Sequence, residues 1–194
     1  MSRKIPDILT LEEQERLLEQ FNLRYITPHR NKTMIQLLLS SGLRLSEMTN
    51  LKWKDINLMT GQLKVVEGKG AKDRVLWIDD KTIKTLQEWK ERQFTEWGKT
   101  DIVFSTRTLN KLDGKAVRKM IKTYTDKAGI DKDITTHSLR HTFASDLLRD
   151  TKNIRIVQKA LGHSDISTTQ IYTHIVDDEL EQAMKEFRNR KGIE

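Results

Sequence analysis

Cysteine is missing from this 194-residue chain. That absence removes disulfides, thiolate metal sites and cysteine nucleophiles together. Two prolines and nine glycines leave no room for a Pro- or Gly-rich linker, and no internal repeat or low-complexity stretch is found. Long hydrophobic runs are also missing. The longest, Leu37 to Leu39 and its neighbours, is broken by Gln36, Ser40 and Ser41, so no stretch approaches a membrane span. The N-terminus, MSRKIPDILT, lacks the apolar core of a signal peptide. A cytoplasmic protein folded as a single domain over residues 1–194 is the expectation.

Charge is what the chain does have. Lys and Arg number 35 against 28 Asp and Glu, a net charge of +7. The excess is uneven. Between Arg107 and Lys122 stand six cations (Arg107, Lys111, Lys115, Arg118, Lys119, Lys122) and one acid, Asp113. The stretch after Tyr172 is instead rich in acids. A basic body with a more acidic tail suits a body that touches phosphate and a tail that touches protein.

Hydrophobic spacing and cap residues predict an α+β fold, mainly helical with a small three-stranded antiparallel sheet. Thr10 and Glu13 form a capping-box pattern ahead of a helix with Leu11, Leu17, Leu18 and Phe21 near one face. A second helix opens at Pro28 and runs to about Ser41, where Gly42 suits a left-handed C′ position. A short helix from Leu45 to Leu51 follows at once, which pins Arg44 at a tight corner. Asp55–Leu58, Gln62–Glu67 and Arg74–Ile78 read as three short strands with turns between them. The last turn, GKGAKD, carries Lys69 and Lys72. Helices are predicted from Asp80 to about Phe94 and from Gly114 to Ala128. A further helix holds Leu139, Phe143, Ala144, Leu147 and Leu148. Asn153 caps the next, which ends at Gly162. Val176, Leu180, Met184 and Phe187 give an amphipathic tail helix within residues 173–194.

Four of the five histidines fall between Thr136 and His174, with one of only three tyrosines. His137 and His141 stand four apart, a spacing that can hold a metal. The helical zinc motif needs glutamate after the first histidine, however, and Ser138 is there, so no metal is expected. Singly, each polar residue has a structural reading: Tyr172 as a core aromatic, Arg44 as an ion-pair partner of Glu47, Lys69 as a solvated turn residue. Their combination points elsewhere. Metal-free cleavage of a DNA phosphodiester needs arginine forks for the non-bridging oxygens and a tyrosine helped to lose a proton held with a pKa of about 10. It also needs an acid for the departing sugar oxygen, for which lysine or histidine serves. Two arginines, two histidines, a lysine and a tyrosine complete that inventory without a cofactor.

Five motifs in order carry a family resemblance: SGLRLSEM around Arg44, EGKGAKDR around Lys69, HSLRHTFAS, LGHSDIS and QIYTH. The sequence resembles the tyrosine recombinases, or phage integrase family, which includes the Xer recombinases. The successive steps from His137 to Arg140, from Arg140 to His163 and from His163 to Tyr172 are 3, 23 and 9 residues, as expected there, and the likeness covers roughly Thr10 to Ile175. It implies the DNA breaking-rejoining fold and a catalytic domain for DNA recombination or integration in a phage, mobile-element or chromosomal setting. By that resemblance, Arg44 and Arg140 clamp the scissile phosphate and Lys69 protonates the leaving 5′ oxygen. His137 assists proton transfer from Tyr172, and His163 hydrogen-bonds the phosphate. Tyr172 attacks to form a 3′-phosphotyrosyl link. Glu47 positions the first arginine, and His141 supports the site. Lys72 and Arg74 join the six cations above as candidate DNA contacts.

The partners implied are double-stranded DNA and further copies of the chain assembled on it as a tetramer, the free protein being a monomer or weak oligomer. The tail face of Val176, Leu180, Met184 and Phe187 then docks on a neighbouring protomer or folds back in cis. By the resemblance an additional N-terminal DNA-binding domain is usual, and residues 1–194 are expected to lack it, either as an excised catalytic domain or as a naturally short form. The alternatives are a DNA-binding accessory module without turnover and a supercoil-relaxing activity of type IB topoisomerase kind.

Overall fold

A computed structural model describes residues 7–66 and 73–162. Two compact units are distinguished, one of Pro6–Phe143 and one whose described residues are 144–162. Among the described residues the elements are α1 (Leu11–Glu19), α2 (Ile26–Ser41), α3 (Leu45–Asn50), a 3-10 turn (Trp53–Asp55), β1 (Gln62–Val65), β2 (Arg74–Trp77), α4 (Asp80–Glu96), α5 (Gly114–Lys127), α6 (Thr136–Thr151) and α7 (Ile154–Leu161). None of these helices is long and apolar enough to cross a membrane.

Local cap chemistry sets most helix ends. The Thr10 hydroxyl accepts the Glu13 amide at 3.2 Å while the Glu13 carboxylate accepts the Thr10 amide at 2.8 Å, a reciprocal cap. Leu11, expected on the inner face, is 72% exposed. It is the first helical residue after the cap, and Leu9, just before the cap, is buried instead. Its amide donates to the Thr142 hydroxyl of α6 at 3.0 Å, which ties the start of the unit to its end. Gly42 closes α2 at φ 61°, with its amide on the Leu38 carbonyl. A side chain there would pay the left-handed penalty, and the chain could not turn so tightly into α3.

The core of the first unit forms where α2 packs on α4, with α1 against α2 and α5. Met34, Ile35, Leu37, Leu38, Leu86 and Trp89 are its buried heart. Its polar groups are satisfied from within: the Trp89 indole donates to the Val103 carbonyl at 2.8 Å, and the Gln93 amide reaches Val103 and Ser105 at 3.2 and 3.0 Å. Burial of an indole without such a partner would forfeit about 1–3 kcal/mol of what its packing returns. Phe21 stacks on Tyr124 of α5 with ring centres 3.8 Å apart.

Among the described residues the sheet has two strands rather than three. β1 and β2 pair antiparallel, Gln62 opposite Trp77 and Val65 opposite Arg74. The predicted first strand, Asp55–Leu58, contributes a single bridge, Ile56 to Leu63. Side chains there compete for the backbone: Asp55 accepts the Lys52 amide at 3.1 Å, and Asn57 accepts the Met59 and Thr60 amides at 2.9 and 3.1 Å. Such bonds fold the chain into turns on either side of Ile56, which is the one residue of the stretch left extended to pair.

In the second unit, the C-terminal part of α6 buries Ala144 and Leu148, whereas Leu147 is only half-buried. Asn153 caps α7 by accepting the Arg155 amide at 3.0 Å. Gly162 ends α7 at φ 65°, as its place in the sequence implied.

Candidate nucleic-acid site

The site grows from the corner between α2 and α3. Gly42 turns the chain, Leu43 is buried as an anchor, and Arg44 becomes the N-cap of α3 in extended backbone. Glu47, one turn into α3, accepts the Arg44 amide at 2.7 Å through one carboxylate oxygen and the Arg44 guanidinium at 2.7 Å through the other. The carboxylate thus caps its own helix and holds the side chain that precedes it.

Arg74 approaches the same carboxylate from β2. Its two terminal nitrogens donate to the two Glu47 oxygens at 2.9 and 2.8 Å, the bidentate geometry that suits a guanidinium to a carboxylate. Glu47 and Arg74 are 7% and 8% exposed. Burial alone would raise the Glu47 pKa. The bonds from Arg74 and Arg44, with the Arg74 charge, outweigh it and hold the carboxyl at about 2. Arg74, expected among the DNA contacts, is buried and forked on Glu47. Strand alternation carries the physical reason: Arg74 and Leu76 face inward while Val75 and Trp77 face out.

Arg140 braces the corner from α6. It is 7% exposed and donates to the Gly42 carbonyl at 2.6 Å. The first turn of α6 is fixed in turn by reciprocal bonds between Thr135 and Ser138, at 3.2 and 3.1 Å. That turn presents His137 to solvent. His141 is half-buried one turn later, and burial first, then the nearby His137 and Arg140 charges, push its pKa down.

Arg44 keeps 37% of its side chain exposed. Its head forms part of an open groove of about 630 Å³. Ser46 and Thr49 of α3 line the groove with Arg44, Lys111 and Asp113 come from the segment that leads into α5, Arg118 from α5 itself, and His137 from α6. Three fixed cations against one acid make the groove a place for an anion, with hydroxyls and a histidine at hand for hydrogen bonds. Two of the predicted DNA contacts, Lys111 and Arg118, therefore share a groove with two predicted catalytic residues. Arg107, Lys115, Lys119 and Lys122 are exposed and do not line it. Among the described residues, no group of three or more His, Asp or Glu side chains is placed to hold a metal ion.

Lys69, Lys72, His163 and Tyr172 lie outside the described residues, as do Val176, Leu180, Met184 and Phe187. Sequence reasoning missed the Gly42 carbonyl as the acceptor for Arg140, the pairing of Arg74 with Glu47, and the groove-lining Ser46 and Thr49. The inward parity of Arg74 with Leu76 was the one available signal.

Comparison with known proteins follows the same lines. Residues 7–179 match the phage integrase family. Over 191 residues the chain is 40% identical to tyrosine recombinase XerD of Staphylococcus saprophyticus, covering 97% of this chain and 64% of that protein. Tyrosine recombinase XerD of Staphylococcus aureus is 38% identical over the same coverage. The chain therefore spans 64% of the length of these curated relatives. Among solved structures, XerA recombinase superposes with a TM-score of 0.82 at 32% identity, covering 97% of this chain and 66% of that one. XerH site-specific recombinase, in a post-cleavage complex with a palindromic difH substrate, gives 0.79 at 30% identity, covering 95% and 54%. With the family model matching most of the chain and the fold superposing on these recombinases, the chain belongs to the phage integrase family.

Proposed function

We propose that this chain is the catalytic part of a site-specific DNA recombinase, cutting and rejoining strands through a covalent 3′-phosphotyrosyl intermediate. The observation that carries the reading is Arg44: a guanidinium held at a braced corner by a buried carboxylate, with its head at a cationic groove beside His137. A preset cation is what a phosphate gaining charge in a transition state requires, because no reorganisation is then needed at the moment of reaction.

In this reading Tyr172 attacks phosphorus, forming the phosphotyrosyl bond as the bond to the 5′ oxygen breaks. Arg44 and Arg140 balance the charge on the non-bridging oxygens, and His163 donates a hydrogen bond to them. His137 helps remove the tyrosine proton, and Lys69 gives a proton to the leaving oxygen. Reversal with a different 5′ hydroxyl exchanges strands, and the bond energy is kept in the phosphotyrosyl link throughout. His141, whose pKa burial pushes down, supports the site beside Arg140 and one turn beyond His137. Double-stranded DNA is the substrate, and copies of the chain assemble on it.

The test is covalent capture. Duplexes nicked beside the cleaved phosphate lose a short fragment after attack and trap the adduct. Such duplexes, a palindromic difH sequence and a pool with randomised arms, should yield a protein–DNA adduct that survives boiling in detergent. Tyr172→Phe should abolish it. Binding without any adduct would replace the recombinase reading with that of a DNA-binding module.

A further inference from the structure

We infer that Arg74 is a positioning residue, acting on strand cleavage through Glu47 and Arg44 rather than by touching DNA. The inference rests on the reading of Arg44 as a phosphate clamp. Each Glu47 oxygen takes one bond from Arg74 and one from Arg44. With Arg44 alone, one Glu47 oxygen is anchored by the Arg44 amide while the other is held only by the arginine head, so that oxygen and the head could swing together. The planar fork of Arg74 removes that freedom. It sets the carboxylate plane from β2, and so aims the oxygens that hold Arg44.

Charge gives a second reason. Arg44 and Glu47 alone would make a neutral pair, and a neutral pair is a poor partner for phosphate. With Arg74 the cluster holds two cations and one anion, so a net positive charge remains where Arg44 meets the groove. At 8% exposure, Arg74 is not itself a surface contact for a duplex. Its place in the strand also links the corner to the sheet, because β2 pairs with β1 from Gln62 to Val65. The clamp arginine is thus aimed by a second arginine that the DNA does not reach.

The test measures single-turnover adduct formation on nicked duplexes recovered from the randomised pool by the wild-type chain. R74M should slow adduct formation at saturating duplex by roughly ten- to hundredfold, the scale of a misplaced reacting group. Its Kd for the same duplex, measured in a Tyr172→Phe background, should change less than about threefold. R74K, which keeps the charge and loses the fork, should recover part of the rate. In R44A the further change R74M should cost almost nothing, since residues acting through one another are not additive. A neutral methylphosphonate at the cleaved position should shrink the R74M defect.

A wild-type rate for R74M, a loss that appears only in Kd, or defects of R44A and R74M that multiply would each overturn the inference. Circular dichroism checks the fold of each variant. Should R74M not fold, R74K and E47Q carry the comparison, and wild-type rates in both overturn it. Absence of adduct with the wild-type chain is a separate result, which sinks the cleavage reading itself.

Discussion

At the Gly42 corner, Arg74, Arg140 and Glu47 are nearly buried and each is held by bonds of 2.6–2.9 Å. On the outer face of α5, Lys115, Arg118, Lys119 and Lys122 are exposed along a helix whose inner side, Val117 and Ile121, is buried. Both regions belong to the first unit and both are cationic. The corner spends desolvation to fix direction, whereas the α5 face spends almost nothing and fixes only a field. A reaction needs the first kind of charge and an encounter needs the second. Arg118 belongs to both, because it also lines the groove with Arg44.

The largest effect that separates the two regions is on stability. Glu47→Ala leaves two arginines without their carboxylate, one of them buried. It should destabilise the chain by about 3–5 kcal/mol in urea unfolding. Lys115, Lys119 and Lys122 changed together to Gln should move stability by less than about 1 kcal/mol. A large loss in the second variant would mean that the α5 face is structural and that the contrast fails.

Acid sharpens the comparison next. Glu47 has its pKa lowered to about 2 from an ordinary 4.5, so the unfolded chain takes up this proton first. Its contribution is complete above pH 4.5 and disappears as pH falls towards 2, an effect of about 3 kcal/mol in all. Unfolding followed from pH 6 to pH 2 should show this acid limb, and Glu47→Gln should flatten it. An unchanged limb would show that Glu47 is not held as described.

The smallest effect tests the α5 face for affinity. In the Lys115, Lys119, Lys122→Gln variant, the slope of log binding constant against log salt should fall by roughly 0.9 per lost phosphate contact. Its adduct rate at saturating duplex should stay at the wild-type value. A slower rate would place the α5 cations in the chemistry alongside the corner.

Much of this arrangement was legible in the sequence where the chemistry is local. Thr10 with Glu13, Gly42, Asn153 and Gly162 announced helix ends because a cap bonds within three or four residues of itself. Arg44 and Glu47 were legible as a pair for the same reason, being one turn apart. The third strand was misread because Asp55 and Asn57 bond to nearby backbone, which an apolar count does not register. Arg74 looked like surface because it follows a lysine-rich turn. Its partner is 27 positions away, and no spacing rule joins the two. Arg140 was expected as a clamp residue only through family resemblance, and its bond to the Gly42 carbonyl spans 98 positions and left no trace in either motif.

Those long spans have a meaning for how the chain is made. The amide of Leu9 waits for Thr142, 133 positions later, and the carbonyl of Gly42 waits for Arg140. Loops of that length close slowly and only after the chain between them exists. On the ribosome, the cationic α5 is complete before α6 begins to emerge, so a partly synthesised chain can cling to polyanions while its corner still lacks a brace. On the proposed reading, attraction to nucleic acid thus arises earlier in the life of each molecule than the means to hold one phosphate in place.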